Sequence, residues 1–305
     1  MNAIDVIKRA QANKTIVPAF NVPYLPMVKP VIEAICDEDC VAMVQVARLE
    51  WEKFESKSLE AVAEEYFKFY DPKFTLLHLD HVPAIDEDLQ TVDVLPIIER
   101  ALAVGYQSVM VDGSRLSLKD NISLTQEVSA LSRSKGVAVE AELGAVAGHE
   151  KDGIGMSYEE LFRTRKGFTK PEEAKQFAEH SGCDWLSVAV GSIHGSIAEG
   201  IREQKKPEAR LDIEHIVKLK DATNNMPLVL HGGTGISQSY ILDAVENGIA
   251  KINIGTDIRQ PYEAAMKEYG DMELAREQVY LKTRWVIHDF LKITGNKSLI
   301  GQTAF

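Results

Sequence analysis

An α/β fold closing as a (β/α)8 TIM barrel, in a single domain, is predicted by three features of the 305-residue sequence. Eight short runs rich in β-branched and other apolar residues recur along it. Stretches of helical character separate them, long enough for crossover connections, which implies a parallel sheet. Runs such as Trp185–Val190 and Pro227–Leu230 are mostly apolar rather than alternating, as strands buried on both faces are. A doubly wound open sheet is the structural alternative, since it too accommodates eight strands.

Taken in order, the predicted strands are Thr15–Val22, Val41–Ala47, Lys73–Asp80, Tyr106–Asp112, Gly136–Leu143, Asp184–Gly191, Met226–His231 and Ala250–Gly255. The predicted helices include Asp86–Val104, Leu118–Lys135, Lys170–Ser181, Leu211–Thr223 and Ser237–Asn247. Two stretches break the rhythm. Ala145–Gly167 is polar and glycine-containing, and Ser196–Arg210 is charged. Both follow predicted strands, so both belong to the rim where barrels keep their chemistry, and loops of this length often act as lids. The chain is largely helical after Arg259 and carries no linker rich in Gly, Pro or Ser. The domain is therefore expected to span residues 1–305, with a C-terminal helical extension over about 258–305.

Composition narrows the function classes. With 34 Lys+Arg against 46 Asp+Glu, the formal charge is −12, which argues against nucleic acid or a membrane surface as partner. An anionic substrate would need local attraction from a metal or from aimed N–H groups. The three cysteines, Cys36, Cys40 and Cys183, form neither a disulfide framework nor a structural zinc site. The first twelve residues do not read as a signal peptide, and no apolar run approaches the roughly 18 residues of a membrane span. A cytoplasmic location is the expectation.

The chemistry-bearing residues sit at strand ends. His81, His194 and His231 follow predicted strands three, six and seven, whose C-terminal ends a parallel barrel brings to one rim. Three imidazoles with an open position form a catalytic zinc pattern, suited to zinc or a similar divalent ion. His78 reads as a packed core histidine. The run His231-Gly232-Gly233-Thr234-Gly235 lies between a strand and a helix, where bare backbone N–H groups and a helix N-terminus suit a phosphate. Asn253–Asp257 enters the next helix in the same way.

Together these motifs resemble the class II, zinc-dependent ketose-bisphosphate aldolases, the fructose-bisphosphate and tagatose-bisphosphate enzymes. The matching segments are Pro18–Val22, His78–His81, Ser108–Ser114, Val139–Gly144, Ala189–Gly195, Leu230–Ile236 and Lys251–Asn253. The resemblance covers roughly residues 1–290. It implies that His81, His194 and His231 ligate Zn2+, and that Asp80 is the general acid/base for the C4 hydroxyl. Asp112 and Glu142 match positions that hold a second or displaced metal. Glu150 matches a mobile-loop glutamate that shuttles the donor's proton. Gly195, Gly232 and Thr234 match donor-phosphate contacts, with a monovalent cation (Na+ or K+) held by nearby carbonyls. Asn253 and Thr256 match further donor contacts. Arg259 matches an arginine that reaches the acceptor phosphate of a neighbouring subunit, which implies a homodimer or homotetramer. The implied reaction is reversible cleavage of a phosphorylated ketose, or a related sugar acid, to dihydroxyacetone phosphate or a similar donor and an aldehyde.

The sequence also departs from the family. Ala47 replaces a serine that touches the donor phosphate, and no lysine follows His194-Gly195. Gly255 replaces the aspartate with which fructose-bisphosphate enzymes read the sugar, and Val82 replaces the glycine after His81. Fructose 1,6-bisphosphate is therefore not the expected strict substrate, and Arg48 is a candidate replacement for the lost positive charge. Three competing readings remain at this point: a metal-dependent barrel hydrolase, a non-catalytic sugar-phosphate-binding homologue, and a Schiff-base aldolase acting through Lys251. Asp80 alternatively only orients His81, Glu142 is a core carboxylate paired with a lysine, and Arg259 is a surface charge.

Overall fold

The computed structural model describes residues 1–144, 158–192 and 209–301. Eight parallel strands close in sequence order: β1 (Val17–Asn21), β2 (Ala42–Ala47), β3 (Thr75–Pro83), β4 (Ser108–Asp112), β5 (Ala138–Leu143), β6 (Trp185–Val188), β7 (Leu228–Leu230) and β8 (Ile249–Ile254), with β8 pairing back onto β1. The fold is a single-domain (β/α)8 TIM barrel, and the open-sheet alternative is excluded by that closure. The helices are α1 (Ala3–Ala12), α2 (Val28–Asp37), α3 (Arg48–Lys53), α4 (Leu59–Phe69), α5 (Val94–Ala103), α6 (Leu118–Arg133), α7 (Tyr158–Thr164), α8 (Pro171–His180), α9 (Ile213–Ala222), α10 (Gln238–Glu246), α11 (Thr256–Tyr269), α12 (Met272–Trp285) and α13 (Lys297–Ile300). A π-helical turn, Val286–Phe290, continues α12.

Local chemistry explains most boundaries. Ser117 caps α6 by accepting from Asp120 N–H, Asp212 caps α9 in the same way, and Gly270 ends α11 in the left-handed region. The predicted helix from Asp86 begins only at Val94. The Asp86 carboxylate accepts the backbone N–H groups of Asp88 and Gln90, which holds the intervening turn out of helical geometry. The Ala145–Gly167 stretch contains a helix, α7, that its polarity does not announce.

The barrel interior is layered. Its lower part is an apolar plug of Val17, Ala19, Val41, Met43, Leu76, Ala138, Trp185, Val229 and Ala250. Above the plug the inward positions turn polar: Gln45, His78, Glu140 and Lys251, then Asp80, Glu142 and His231, all buried. Six ionisable groups stacked within a barrel persist only if each finds a partner. The helices and outer strand faces bury the main apolar core, so the polar interior costs the fold no hydrophobic surface outside the barrel.

Two irregularities aim the polar side chains. On β3, Leu79 faces Val109 of β4, but the next pair is Val82 with Val111. One extra residue is therefore inserted on β3 around Asp80 and His81, and His81 takes φ of 20°. Neighbours on a regular strand point to opposite faces; a bulge breaks that alternation. A second insertion on β8, between Ile249 and Lys251, sets the phase that turns Lys251 and Asn253 inward.

Candidate active site

Asp80 is the most restrained group of the upper barrel. Its Oδ2 accepts from Asn21 Nδ2 at 2.9 Å and from Gln45 Nε2 at 3.2 Å, while Oδ1 accepts from Asn253 Nδ2 at 2.9 Å. Three side-chain amides from β1, β2 and β8 thus fix one buried carboxylate. Burial alone would raise its pKa, but the positive potential of His81, His231 and Lys251 outweighs it and holds Asp80 below the ordinary carboxylate range. A base held ionised at neutral pH is ready to accept a proton.

His81 and His231 lie side by side, with ring centroids 4.6 Å apart. His81 Nδ1 faces Asp112 Oδ2 at 3.3 Å and Glu142 Oε2 at 3.8 Å. His231 Nδ1 lies 3.1 Å from the same Glu142 oxygen. Burial opposes the charged form of His81, but Asp80, Asp112 and Glu142 overcome it and raise its pKa well above the ordinary value. Glu142 is itself raised, by burial first and then by the Asp112 charge. Asp112 stays low although burial opposes ionisation, because His81 and Ser114 donate to it.

Two groups of ligand atoms fit a divalent ion. One atom each from Asp80, His81 and His231 lie within 4.8 Å of one another, as do atoms from His81, Asp112 and Glu142. Nitrogen and carboxylate donors at this spacing need only modest side-chain rotation to surround an ion at about 2 Å. His81 belongs to both groups. His194, Gly195 and Glu150 fall outside the described residues.

The other proposed contacts lie on the same rim. Gly232 has φ of 68°, a left-handed value that penalises any side chain there. Thr234 Oγ1 donates to Asp257 Oδ2 at 2.8 Å, tying the loop after β7 to the first turn of α11, where Thr256 also sits. A Cβ added at Gly255 would stand 3.4 Å from Asn21 Cβ, in van der Waals contact with a residue of the Asp80 network. Arg259 is bound through Nη1 to both Glu263 oxygens, at 2.7 and 2.9 Å, and stacks over Phe54. Arg48 pairs with Asp86 at 3.4 Å and with Glu52 at 3.8 Å, so its charge is already matched.

In the layer beneath, His78 is the packed core histidine that the sequence led us to expect. His78 is fully buried, its Nδ1 2.7 Å from Ser108 Oγ, and burial, with Lys251 nearby, lowers its pKa to about 3. The core carboxylate that pairs with a lysine is Glu140, not Glu142: Glu140 Oε2 meets Lys251 Nζ at 2.9 Å. Glu50 is the second unannounced carboxylate. Its Oε2 accepts Ala47 N–H at 2.8 Å and Asn21 Nδ2 at 3.4 Å.

Burial raises the Glu50 pKa from 4.5 to about 8. Between those pH values the folded chain keeps a proton that the unfolded chain has lost, so stability falls as pH rises through that window. Glu50→Gln keeps the acceptor for Ala47 and removes the ionisation. The expected result is a higher Tm at pH 8 and little change below pH 4.5. Recovering one pKa unit, about 1.4 kcal/mol, moves Tm by roughly 2 °C in a chain of this size. Parallel pH–Tm curves for the two proteins would refute it.

The family model described as fructose-bisphosphate aldolase class-II matches residues 1–294. The chain belongs to the class II fructose-bisphosphate aldolase family. The YdjI aldolase from Escherichia coli K12 is 27% identical with a TM-score of 0.73, over 93% of this chain and 94% of that one. A putative fructose-1,6-bisphosphate aldolase from Coccidioides immitis is 25% identical with a TM-score of 0.76, over 97% and 98% of the two chains. The fructose-bisphosphate aldolase of Campylobacter jejuni, at 19% identity and a TM-score of 0.71 over 95% and 94%, shares the fold. Family membership favours an aldolase over the hydrolase reading. Among the described residues, no helix is long and apolar enough to cross a membrane.

Proposed function

We propose that this class II aldolase family member is a Zn2+-dependent aldehyde-lyase. It reversibly cleaves a phosphorylated ketose or a related sugar acid to dihydroxyacetone phosphate, or a similar donor, and an aldehyde. The single observation that carries the reading is the triply hydrogen-bonded Asp80 carboxylate beside the His81–His231 pair. Binding a sugar phosphate needs no restrained proton carrier there; breaking a carbon–carbon bond does.

Residues His81, His194 and His231 hold the ion, with Asp112 and Glu142 as ligands for a second or displaced position. A bound zinc ion supplies electrophilic polarisation of the ketose carbonyl and so stabilises the negative charge that cleavage leaves on the donor. Asp80 removes the C4 hydroxyl proton as the bond breaks and returns it in condensation. Glu150 carries the donor's proton. Gly195, Gly232, Thr234, Asn253 and Thr256 bind the donor, with Na+ or K+ at neighbouring carbonyls. Arg259 reaches the acceptor end of the substrate bound to an adjoining subunit of a homodimer or homotetramer. Three free cysteines and an acidic composition suit the cytoplasm.

Fructose 1,6-bisphosphate is not the strict substrate of this proposal, because the rim lacks the serine at 47 and the aspartate at 255. The test is a panel of ketose phosphates assayed for dihydroxyacetone phosphate release with and without a chelator. Metal-dependent release from at least one member supports the reading. No release from any, with zinc bound, refutes it.

A further inference from the structure

Lys251 sits at the centre of a hydrogen-bonded chain that reaches both halves of the candidate site. It is fully buried beneath Asp80. Its Nζ donates to Glu140 Oε2 at 2.9 Å and to Asn253 Oδ1 at 2.6 Å. From Glu140 the chain continues through Oε1 to His231 Nε2 at 2.8 Å, and Trp185 Nε1 donates to Oε2 at 2.6 Å. From Asn253 it continues through Nδ2 to Asp80 Oδ1 at 2.9 Å.

Donor and acceptor identities give this chain one polarity. An ammonium group has three donors and no acceptor. Asn253 must therefore turn its oxygen toward Lys251, which leaves its NH2 facing Asp80. An asparagine amide can otherwise flip at little cost, and flipped it would set its carbonyl oxygen against the Asp80 carboxylate. On the other branch, Lys251 keeps Glu140 an acceptor. Glu140 then takes the N–H of His231 at Nε2, which leaves the Nδ1 lone pair facing the site.

We infer that Lys251 is a positioning residue that sets two states at once: the orientation of Asn253 behind Asp80, and, through Glu140, the tautomer in which His231 meets a metal ion. The inference rests on the aldolase reading above, yet its metal branch stands apart from turnover. It also gives Lys251 a role other than nucleophile: both of its contacts are to groups that need its protons, and a Schiff base would break both.

The test uses the full-length zinc protein and three variants: Lys251→Met, Asn253→Ala and the double variant. Zinc affinity is read by chelator competition, and turnover as kcat and KM at saturating zinc. Lys251→Met is expected to weaken zinc by about 10–100-fold, the usual effect of losing an outer partner of a metal-bound histidine. It is also expected to lower kcat by about 10²-fold or more while KM stays within about threefold, the mark of lost transition-state alignment. Asn253→Ala lowers kcat but leaves zinc affinity unchanged. The double variant has the kcat of the more impaired single variant, because the two act in series. Wild-type zinc affinity in Lys251→Met, or kcat losses that multiply in the double variant, overturn the inference. So does a mass gain at Lys251 after borohydride reduction with dihydroxyacetone phosphate.

If Lys251→Met does not fold, the paired variant Glu140→Gln with Lys251→Met leaves no unmatched buried charge. It is expected to show the same loss of zinc affinity, and wild-type affinity in it overturns the inference. If wild-type protein cleaves no ketose phosphate, the function proposal fails while the affinity measurements still decide the Lys251–Glu140–His231 branch.

Discussion

Chelation is expected to abolish cleavage of the ketose phosphate, and one equivalent of Zn2+ per chain to restore it. A Lewis acid at the carbonyl contributes several kcal/mol of charge stabilisation, and each 1.36 kcal/mol is tenfold in rate, so the metal-free protein should retain less than about 0.1% of its activity. The described residues offer no substitute electrophile. The ammonium of Lys251 is engaged by Glu140 and Asn253, and the guanidinium groups of Arg48 and Arg259 are engaged by Asp86 and Glu263. The measurement is dihydroxyacetone phosphate release before dialysis, after it, and after titration with zinc. Full activity in protein shown by elemental analysis to be metal-free would end the proposal.

Asp80→Asn is expected to lower kcat by about 10²–10⁴-fold with zinc content unchanged, the usual cost of removing a general acid/base. The substitution conserves shape but not polarity. Three amide NH2 groups, on Asn21, Gln45 and Asn253, converge on the two carboxylate oxygens. An amide at position 80 must set its own NH2 against at least one of them, leaving a buried donor unsatisfied at a cost of about 1–3 kcal/mol. A lower Tm should therefore accompany the slower turnover. If kcat remains within tenfold of wild type, Asp80 is not the proton carrier, and the reading in which it only orients His81 takes its place.

Sequence reading reached the architecture because strand burial leaves a mark on every residue of a strand. All eight predicted strands exist, and the boundary differences have local causes. The run Met226–His231 is reduced to Leu228–Leu230, and the predicted end of strand three at Asp80 extends through a bulge to Pro83. That bulge is invisible in the sequence. His78-Leu79-Asp80-His81 looks like regular alternation, in which Asp80 faces the barrel and His81 faces away. Only the pairing of β3 with β4 inserts the extra residue that lets adjacent side chains serve one site.

That His81 and His231 share one end of the barrel was legible for a related reason: in a parallel barrel, sequence position along a strand translates directly into height along the axis. Distance across the barrel does not translate. Nothing near Glu140 in sequence announces Lys251, and nothing near Asp80 announces Asn21 or Gln45, because these partners arise from different strands meeting at closure. Glu50 illustrates the same limit. Nothing beside it in sequence marks it as buried, yet it packs against Asn21 and burial raises its pKa to about 8.

What the amino-acid order alone determined, then, is the alternation of strands and helices, the single rim, and which chemical groups stand at it. Those follow from local periodicity and chain direction, quantities each segment carries by itself. What only the tertiary structure decided is which group donates to which, where the buried charges are matched, and which amide faces the base. Electrostatic and hydrogen-bond energies depend on separations of a few ångströms between residues far apart in the chain, and closing the barrel creates those separations.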